Sequence, residues 1–302
     1  AEHHLEVGDV LVRNVTTESC EIFMQEPDRE GHRPEEVCFV VMEKGRYYFP
    51  NGSSIEAGSL PVKSIMYARQ NSYGGEQVSF QEGFAQKPPV VLHTLNTHNN
   101  NAFMSSIAHA ITPNGFMAQQ MAAETESPGE EEEFGWIAFG QGTYDTHEAG
   151  VVRGSSDANA SKYITIPFKK DFSEPPDVVV KGNSAEGGDG YWSRSAGIWT
   201  NKEAATYATE DQVRDGDRRH VKVNMGYVAF PPSSIIGILD ADTRWLTIPI
   251  QTPEVQLHET FMGTLAATKY YKLEYELYIN KTVKDWGSII RFNPSSNPKH
   301  NY

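Results

Sequence analysis

The chain has 302 residues, of which 38% are hydrophobic, 11% aromatic and 22% charged, with a formal net charge of −14 at pH 7. This length predicts two to four domains, and the acidic excess without a basic cluster argues against nucleic acid or an anionic membrane as a partner. There is no run of 18 apolar residues and no apolar leader, so we expect no membrane insertion and no retained targeting signal.

The two cysteines, Cys20 and Cys38, both lie in β-like segments. This placement predicts a disulfide between two strands, worth roughly 3 kcal/mol for a loop of this size. Two buried free thiols are the alternative. Four N-glycosylation sequons begin at Asn14, Asn51, Asn159 and Asn280. With the disulfide, they favour a secreted protein on the extracellular surface.

An internal repeat organises the chain. Segments 78–92 and 164–180 each contain two phenylalanines separated by three residues, then a Pro-Pro pair and a β-branched run. About fifty residues later, segments 134–139 and 225–230 both follow a glycine with an aromatic, a β-branched residue, an alanine and a phenylalanine, an alternation of aromatic and β-branched positions. Such alternation is typical of a half-buried strand. The repeat is therefore about 85–90 residues long and predicts an all-β fold.

A partial third copy is expected near the start of the chain. Segment 37–42, with Phe39 in the place of Trp136 and Tyr227, is predicted to be the same strand. It is followed by Lys44-Gly45-Arg46-Tyr47, which parallels Gln141-Gly142-Thr143-Tyr144. The early strands of this copy have no room before the first residue.

We therefore expect an incomplete sandwich in 1–70, complete sandwiches in 71–160 and 161–250, and a linker with the opening strands of another β module in 251–302. Three explanations of the incomplete copy stay open: a cut from a longer array, strands donated by a neighbouring molecule, or a degenerate module. The last region contains a regularly alternating strand pattern at 270–279 and a second strand pattern at 285–292.

These repeats resemble H-type lectin modules, the family of snail agglutinins and the discoidin C-terminal domain. The resemblance rests on Phe80/Phe84 with Pro88-Pro89, then Phe116 and Gly135-Trp136; in the other copy on Phe168/Phe172 with Pro175-Pro176, then Tyr207 and Gly226-Tyr227. It implies tandem antiparallel β-sandwiches, assembly into trimers or larger multimers, and recognition of galactose or N-acetylgalactosamine. Segment 286–290 also looks like the opening of a jelly-roll module.

In this family, an aromatic face and polar side chains on loops bind the sugar. Asp189, Trp192 and Arg194 are the residues of this chain that match such a set. The alternative is that Trp192 belongs to the core and that Arg194 is a solvated charge at a strand edge.

Other sites have weaker sequence support. The acidic run 130–133 is predicted to be a solvated loop, with Ca²⁺ binding as the weaker alternative. No cofactor and no metal ligand set are predicted, and no nucleophile, nucleotide-binding or zinc motif indicates an enzyme. The leading functional hypothesis is an extracellular structural protein that assembles with copies of itself or with neighbouring modules. A soluble galactose-type lectin is the alternative, and a glycan hydrolase has the least support.

Overall fold

The structure, a computed structural model, describes residues 9–16, 19–27, 37–49, 51–66, 73–85, 87–122, 129–197, 199–210, 213, 216–232, 238–239 and 246–247. The chain divides into two compact units, Ala1–Ser234 with Leu239–Arg244, and Ile235–Ile238 with Trp245–Tyr302. The hairpin and the two sandwiches described below belong to the first unit. The described residues form largely antiparallel sheets without a helix, which confirms the predicted all-β class.

The described chain begins with a β-hairpin of β1 (Asp9–Arg13) and β2 (Glu21–Gln25). Its two strands pair antiparallel in their own two-stranded sheet. Because side chains alternate across a strand, the hairpin has two faces. Asp9 and Leu11 lie on the buried face, where they are 2% and 1% exposed.

Eight strands form the first sandwich: β3 (Gly45–Tyr48), β4 (Ser54–Val62), β5 (Ile65–Met66), β6 (Glu76–Ser79), β7 (Val90–Leu95), β8 (Ser105–Thr112), β9 (Gly115–Met121) and β10 (Glu132–Phe139). One sheet has the order β3-β4-β10-β7. In the other, β9 pairs antiparallel with β6 and β8, and parallel with β5. The two sheets enclose an aromatic core that includes Phe80, Phe84, Phe116, Phe134 and Trp136.

Seven strands form the second sandwich: β11 (Gly142–Thr143), β12 (Glu148–Asp157), β13 (Ile164–Pro167), β14 (Asp177–Gly182), β15 (Trp192–Ser195), β16 (Glu203–Thr209) and β17 (Arg219–Phe230). Its sheets have the orders β11-β12-β17-β14 and β13-β16-β15. The first of these orders repeats β3-β4-β10-β7 strand for strand. The two sandwiches therefore share one topology.

The repeat is also visible in side-chain packing. Phe80 and Phe84 meet edge to face with ring centroids 4.9 Å apart, and Phe168 and Phe172 do the same at 5.3 Å. In each core, the first phenylalanine also contacts a large aromatic side chain of the opposite sheet. Phe80 contacts Trp136 in β10, and Phe168 contacts Tyr227 in β17. These residues are interior packing, as the sequence pattern predicts.

Strand pairing runs across the boundaries expected at residues 70 and 160. β4, which lies before residue 70, pairs with β10, and β12, which lies before residue 160, pairs with β17. When the repeat is defined by which strands pair with each other, its two units are residues 45–139 and 142–230. Each unit opens with a short hairpin that begins at Gly45 or Gly142, as the matching Gly-x-Tyr segments suggest.

Two equivalences expected from the sequence are wrong. Residues 37–43 form no strand, and Phe39 is 62% exposed, whereas Trp136 and Tyr227 are buried. The segment therefore does not repeat the long core strand. The register pairs Val78 with Phe116 in the first sandwich and the equivalent Ile166 with Ala204 in the second. The residue that corresponds to Phe116 is therefore Ala204, and not Tyr207 as the sequence comparison suggests.

Two short strands, β18 (Ile238–Leu239) and β19 (Leu246–Thr247), are the last described elements. The strand patterns predicted at 270–279 and 285–292, and the jelly-roll resemblance at 286–290, lie outside the described residues.

Candidate functional site

The residues predicted to bind a sugar lie at the start of β15, an edge strand of the second sandwich. Trp192 is 3% exposed, and its ring packs against Phe103 of the first sandwich with centroids 4.7 Å apart. Asp189 and Arg194 are half-buried. Because Phe103 contacts the indole, Trp192 does not offer an open aromatic face for a sugar to stack on. The core interpretation of Trp192 fits this placement.

The acidic run 130–133 is not simply a solvated loop, as the sequence had suggested, because Glu132 lies in β10 and is 1% exposed. Its carboxylate accepts hydrogen bonds from the backbone amides of Asn99 and Asn100 at 2.7 and 2.8 Å. It therefore fixes the loop after β7. Within the described ranges, no group of three acidic, histidine or cysteine side chains is arranged to hold a metal ion.

The predicted disulfide is not present in the structure. Cys20 carries an exposed free thiol just before β2 and is thus not bonded to Cys38, which is half-buried. Neither cysteine lies within a strand, so the β-like segments around them did not predict their geometry.

The three described sequons differ in exposure. Asn14 and Asn159 are exposed, and their Nδ2 atoms donate to Glu21 Oε1 and to the Gly216 carbonyl. Asn51 lies in the β3–β4 turn, where its Nδ2 is buried and its Oδ1 accepts from the Ser53 amide. The fourth sequon, at Asn280, lies outside the described residues.

In protein secreted from eukaryotic cells, we expect glycans on Asn14 and Asn159 but not on Asn51, because a glycan on a buried Nδ2 blocks closure of the β3–β4 hairpin. Intact-mass analysis tests this expectation. Asn14→Gln should remove the mass of one glycan, whereas Asn51→Gln should remove none. If Asn51→Gln lowers the mass by one glycan, Asn51 is glycosylated and this expectation is wrong.

The edges of the two sandwiches meet along a contact that we call the seam, defined by Val91, His93, Gly182 and Asn183. The side-chain amide of Asn183 donates to the Val91 carbonyl at 2.7 Å and accepts from the Val91 amide at 3.0 Å. It thereby covers the open edge of β7 as a neighbouring strand would. Apolar side chains of both sandwiches pack beside it, including Ile107, Met121, Ala208 and Met225.

Two buried histidines lie near the junction of the sandwiches. His93 lies on the seam and stacks on Phe134 with centroids 5.5 Å apart. Burial, helped by the charge of Lys181, lowers the pKa of His93 to about 3. His147 lies among the rings of Phe49, Phe139, Tyr144 and Phe230. Burial, with Lys170 nearby, lowers the pKa of His147 to about 4. Both imidazoles are neutral at pH 7.

The N-terminal hairpin bridges the two sandwiches through its buried face. Asp9 accepts a hydrogen bond from Ser105 of the first sandwich at 2.6 Å and pairs with Lys181 of the second at 3.3 Å. Phe23 of β2 contacts His98 edge to face, with centroids 5.1 Å apart. The hairpin is therefore attached to both sandwiches.

The other face of the hairpin is apolar, and we call it the hairpin face. The register places Val10 opposite Met24 and Val12 opposite Ile22, all on the side away from Leu11. Ile22 is 38% exposed and the other three side chains are half-buried. Val15, Phe39 and Val41, elsewhere in the first 41 residues, are 52%, 62% and 73% exposed. No feature of the sequence marked these residues as exposed.

The comparison with known protein families, characterised proteins and solved structures finds no match to this chain. Among the residues that the structure describes, no helix has the length and hydropathy needed to cross a membrane.

Proposed function

We propose that this chain is an extracellular modular structural protein that assembles with further copies of itself through the hairpin face. The proposal takes the protein as a non-enzymatic one that works through contact surfaces. The observation that carries it is the hairpin face itself, where the strand register brings Val10, Val12, Ile22 and Met24 together and Ile22 is 38% exposed. Exposed apolar groups that lie close together are characteristic of protein–protein contact sites.

The hairpin supports a second copy as the partner. β1 and β2 pair only with each other in the described chain, so each strand leaves one row of backbone groups for another strand. A second hairpin of the same sequence can pair along such an edge in a two-fold arrangement. With a net charge of −14, copies of this chain repel one another. An uncharged apolar face is therefore the region where self-association meets least electrostatic resistance.

Ile22→Asp is expected to raise the dissociation constant of self-association by at least about tenfold, because burying an isoleucine contributes roughly 1.5–3 kcal/mol. Sedimentation of the full chain over a range of concentrations measures this change. Val221→Asp is the matched control, since Val221 is 52% exposed on β17, away from the hairpin. A chain that stays monomeric at all concentrations, or equal effects of both substitutions, would rule out this surface.

Glycan binding of the galactose type, which the sequence resemblance implies, has less support. It needs an aromatic ring that a sugar can reach, and Trp192 is covered by Phe103. The assembly proposal does not depend on such a site.

A further inference from the structure

The imidazole of His93 connects the two sandwiches. Its Nε2 lies 2.8 Å from the Gly182 carbonyl oxygen of β14, and its Nδ1 lies 2.8 Å from the Ser106 hydroxyl of β8. A carbonyl oxygen only accepts, so Nε2 carries the proton and Nδ1 accepts from Ser106. Both nitrogens of the neutral ring thus have a hydrogen-bond partner, Ser106 in the first sandwich and Gly182 in the second.

A second proton on this ring is disfavoured, chiefly by burial. It turns Nδ1 into a donor, so that the Ser106 hydroxyl has to rotate and accept, and it adds a charge at a site that is only 5% exposed. The charged groups around the seam do not compensate. Lys181 of β14 is itself a cation, and Asp9 of β1 already binds Ser105 and Lys181. β8 and β10 present the uncharged Ser106 and Phe134 to the ring.

The direction of the pH effect follows from the lowered pKa of His93. A histidine whose pKa falls on burial stabilises the closed form fully above its ordinary value of 6.5. That contribution is lost progressively as the pH falls from about 6.5 towards 3, because the opened form takes up the proton first.

We propose that the seam is an acid-sensitive latch, in which protonation of His93 separates the edges of the two sandwiches while each sandwich stays folded. Asn183 holds the same contact through the Val91 backbone, so the Val91 amide reports directly on seam opening. The latch does not rest on the assembly proposal, although the hairpin bridges the same two sandwiches through Asp9.

Hydrogen exchange of the Val91 amide, corrected for intrinsic exchange, tests the latch in the full chain. Between pH 7.5 and pH 5 the opening equilibrium constant is expected to rise about 30-fold for the native sequence. In His93→Gln, whose side-chain amide still donates towards Gly182, the rise should be less than about twofold. His147→Phe is the matched control: it removes another buried imidazole, among aromatic rings outside the seam, and should leave the rise unchanged.

Three outcomes would overturn the proposal. One is an equal rise in His93→Gln, and another is a rise that disappears only in His147→Phe. The third is simultaneous loss of protection at Val91 and at Tyr227 in the core of the second sandwich, which means that the whole fold opens. If His93→Gln does not fold, NMR titration of the native imidazole decides together with exchange at Val91: a pKa below 6 with the expected rise in opening at Val91 supports the latch, and a pKa of 6 or above, or no rise at Val91, refutes it.

Discussion

Asn183→Ala is expected to lower the free energy of unfolding by about 2–4 kcal/mol. The substitution removes the two hydrogen bonds to the Val91 backbone, and Val91 is 0% exposed. An unsatisfied buried donor or acceptor costs roughly 1–3 kcal/mol, and both groups of Val91 lose their partner. Urea unfolding followed by fluorescence of the core tryptophans measures the change.

The repeat supplies a matched control for this prediction. Asn96 occupies the position in the first sandwich that Asn183 occupies in the second. The backbone amide of Asn96 donates to β10 and that of Asn183 to β17. The side chain of Asn96 lies against Gly135, and that of Asn183 against Gly226. The side chain of Asn96 makes no hydrogen bond among the described residues and is half-buried. Asn96→Ala should therefore cost less than about 0.5 kcal/mol. Equal losses in the two variants would show that the seam contributes little to stability.

The sequence pattern predicted the fold class and the repeat, but not where each repeat begins. The missed signal was Glu56-Ala57-Gly58, which recurs as Glu148-Ala149-Gly150. A Cβ on Gly58 would lie 2.5 Å from the Trp136 ring, and one on Gly150 would lie 2.7 Å from the Tyr227 hydroxyl. This close approach explains the glycine in both copies. It also joins β4 to β10 and β12 to β17, the pairings that the expected boundaries separated.

The predicted disulfide and the predicted third copy are wrong for a common reason. Segment 37–42 has the apolar alternation of a strand, yet Val41 is 73% exposed and no described strand forms there. The alternation of apolar and polar residues shows that a segment prefers extended backbone. A stable strand also needs a neighbouring strand to pair with and other side chains to pack on its apolar face. Without that strand, the geometry assumed for Cys38 and Cys20 has no basis.

The seam could not be predicted from local pattern at all. Val91 and Asn183 are 92 residues apart, and nothing near Asn183 distinguishes it from a polar residue at the end of a strand. The burial of His93 likewise depends on Gly182, which belongs to the other copy. Contacts between two repeats depend on how the repeats dock. The internal homology of the repeats carries no information on that arrangement.

The buried ion pair of the first sandwich supports a second large prediction. Arg46 Nη1 lies 3.1 Å from Glu56 Oε2, and the two side chains are 5% and 3% exposed. The guanidinium also lies 3.9 Å above the Phe84 ring centroid. Burial raises the pKa of Glu56 above its ordinary value, against the opposing effects of the Gln81 amide and Arg46. Arg46 thus compensates a carboxylate that the core disfavours.

Arg46→Met is expected to cost about 3–5 kcal/mol of unfolding free energy, because it leaves the Glu56 carboxylate buried without a cation. The double variant Arg46→Met/Glu56→Gln should recover at least about half of that loss, since glutamine is neutral and still accepts from the Gln81 amide. Urea unfolding of the two single variants and the double variant measures the coupling.

The second sandwich shows why the recovery is expected. Its equivalent carboxylate, Glu148, accepts hydrogen bonds from the Lys169 and Lys170 amides and the Tyr227 hydroxyl, without an arginine. Hydrogen bonding alone can therefore hold this position. Arg153→Met serves as the control, since Arg153 pairs with Glu186 at the exposed surface and its removal should change stability little. A double variant as unstable as Arg46→Met would mean that packing of Arg46 on Phe84, and not charge compensation, maintains this corner of the core.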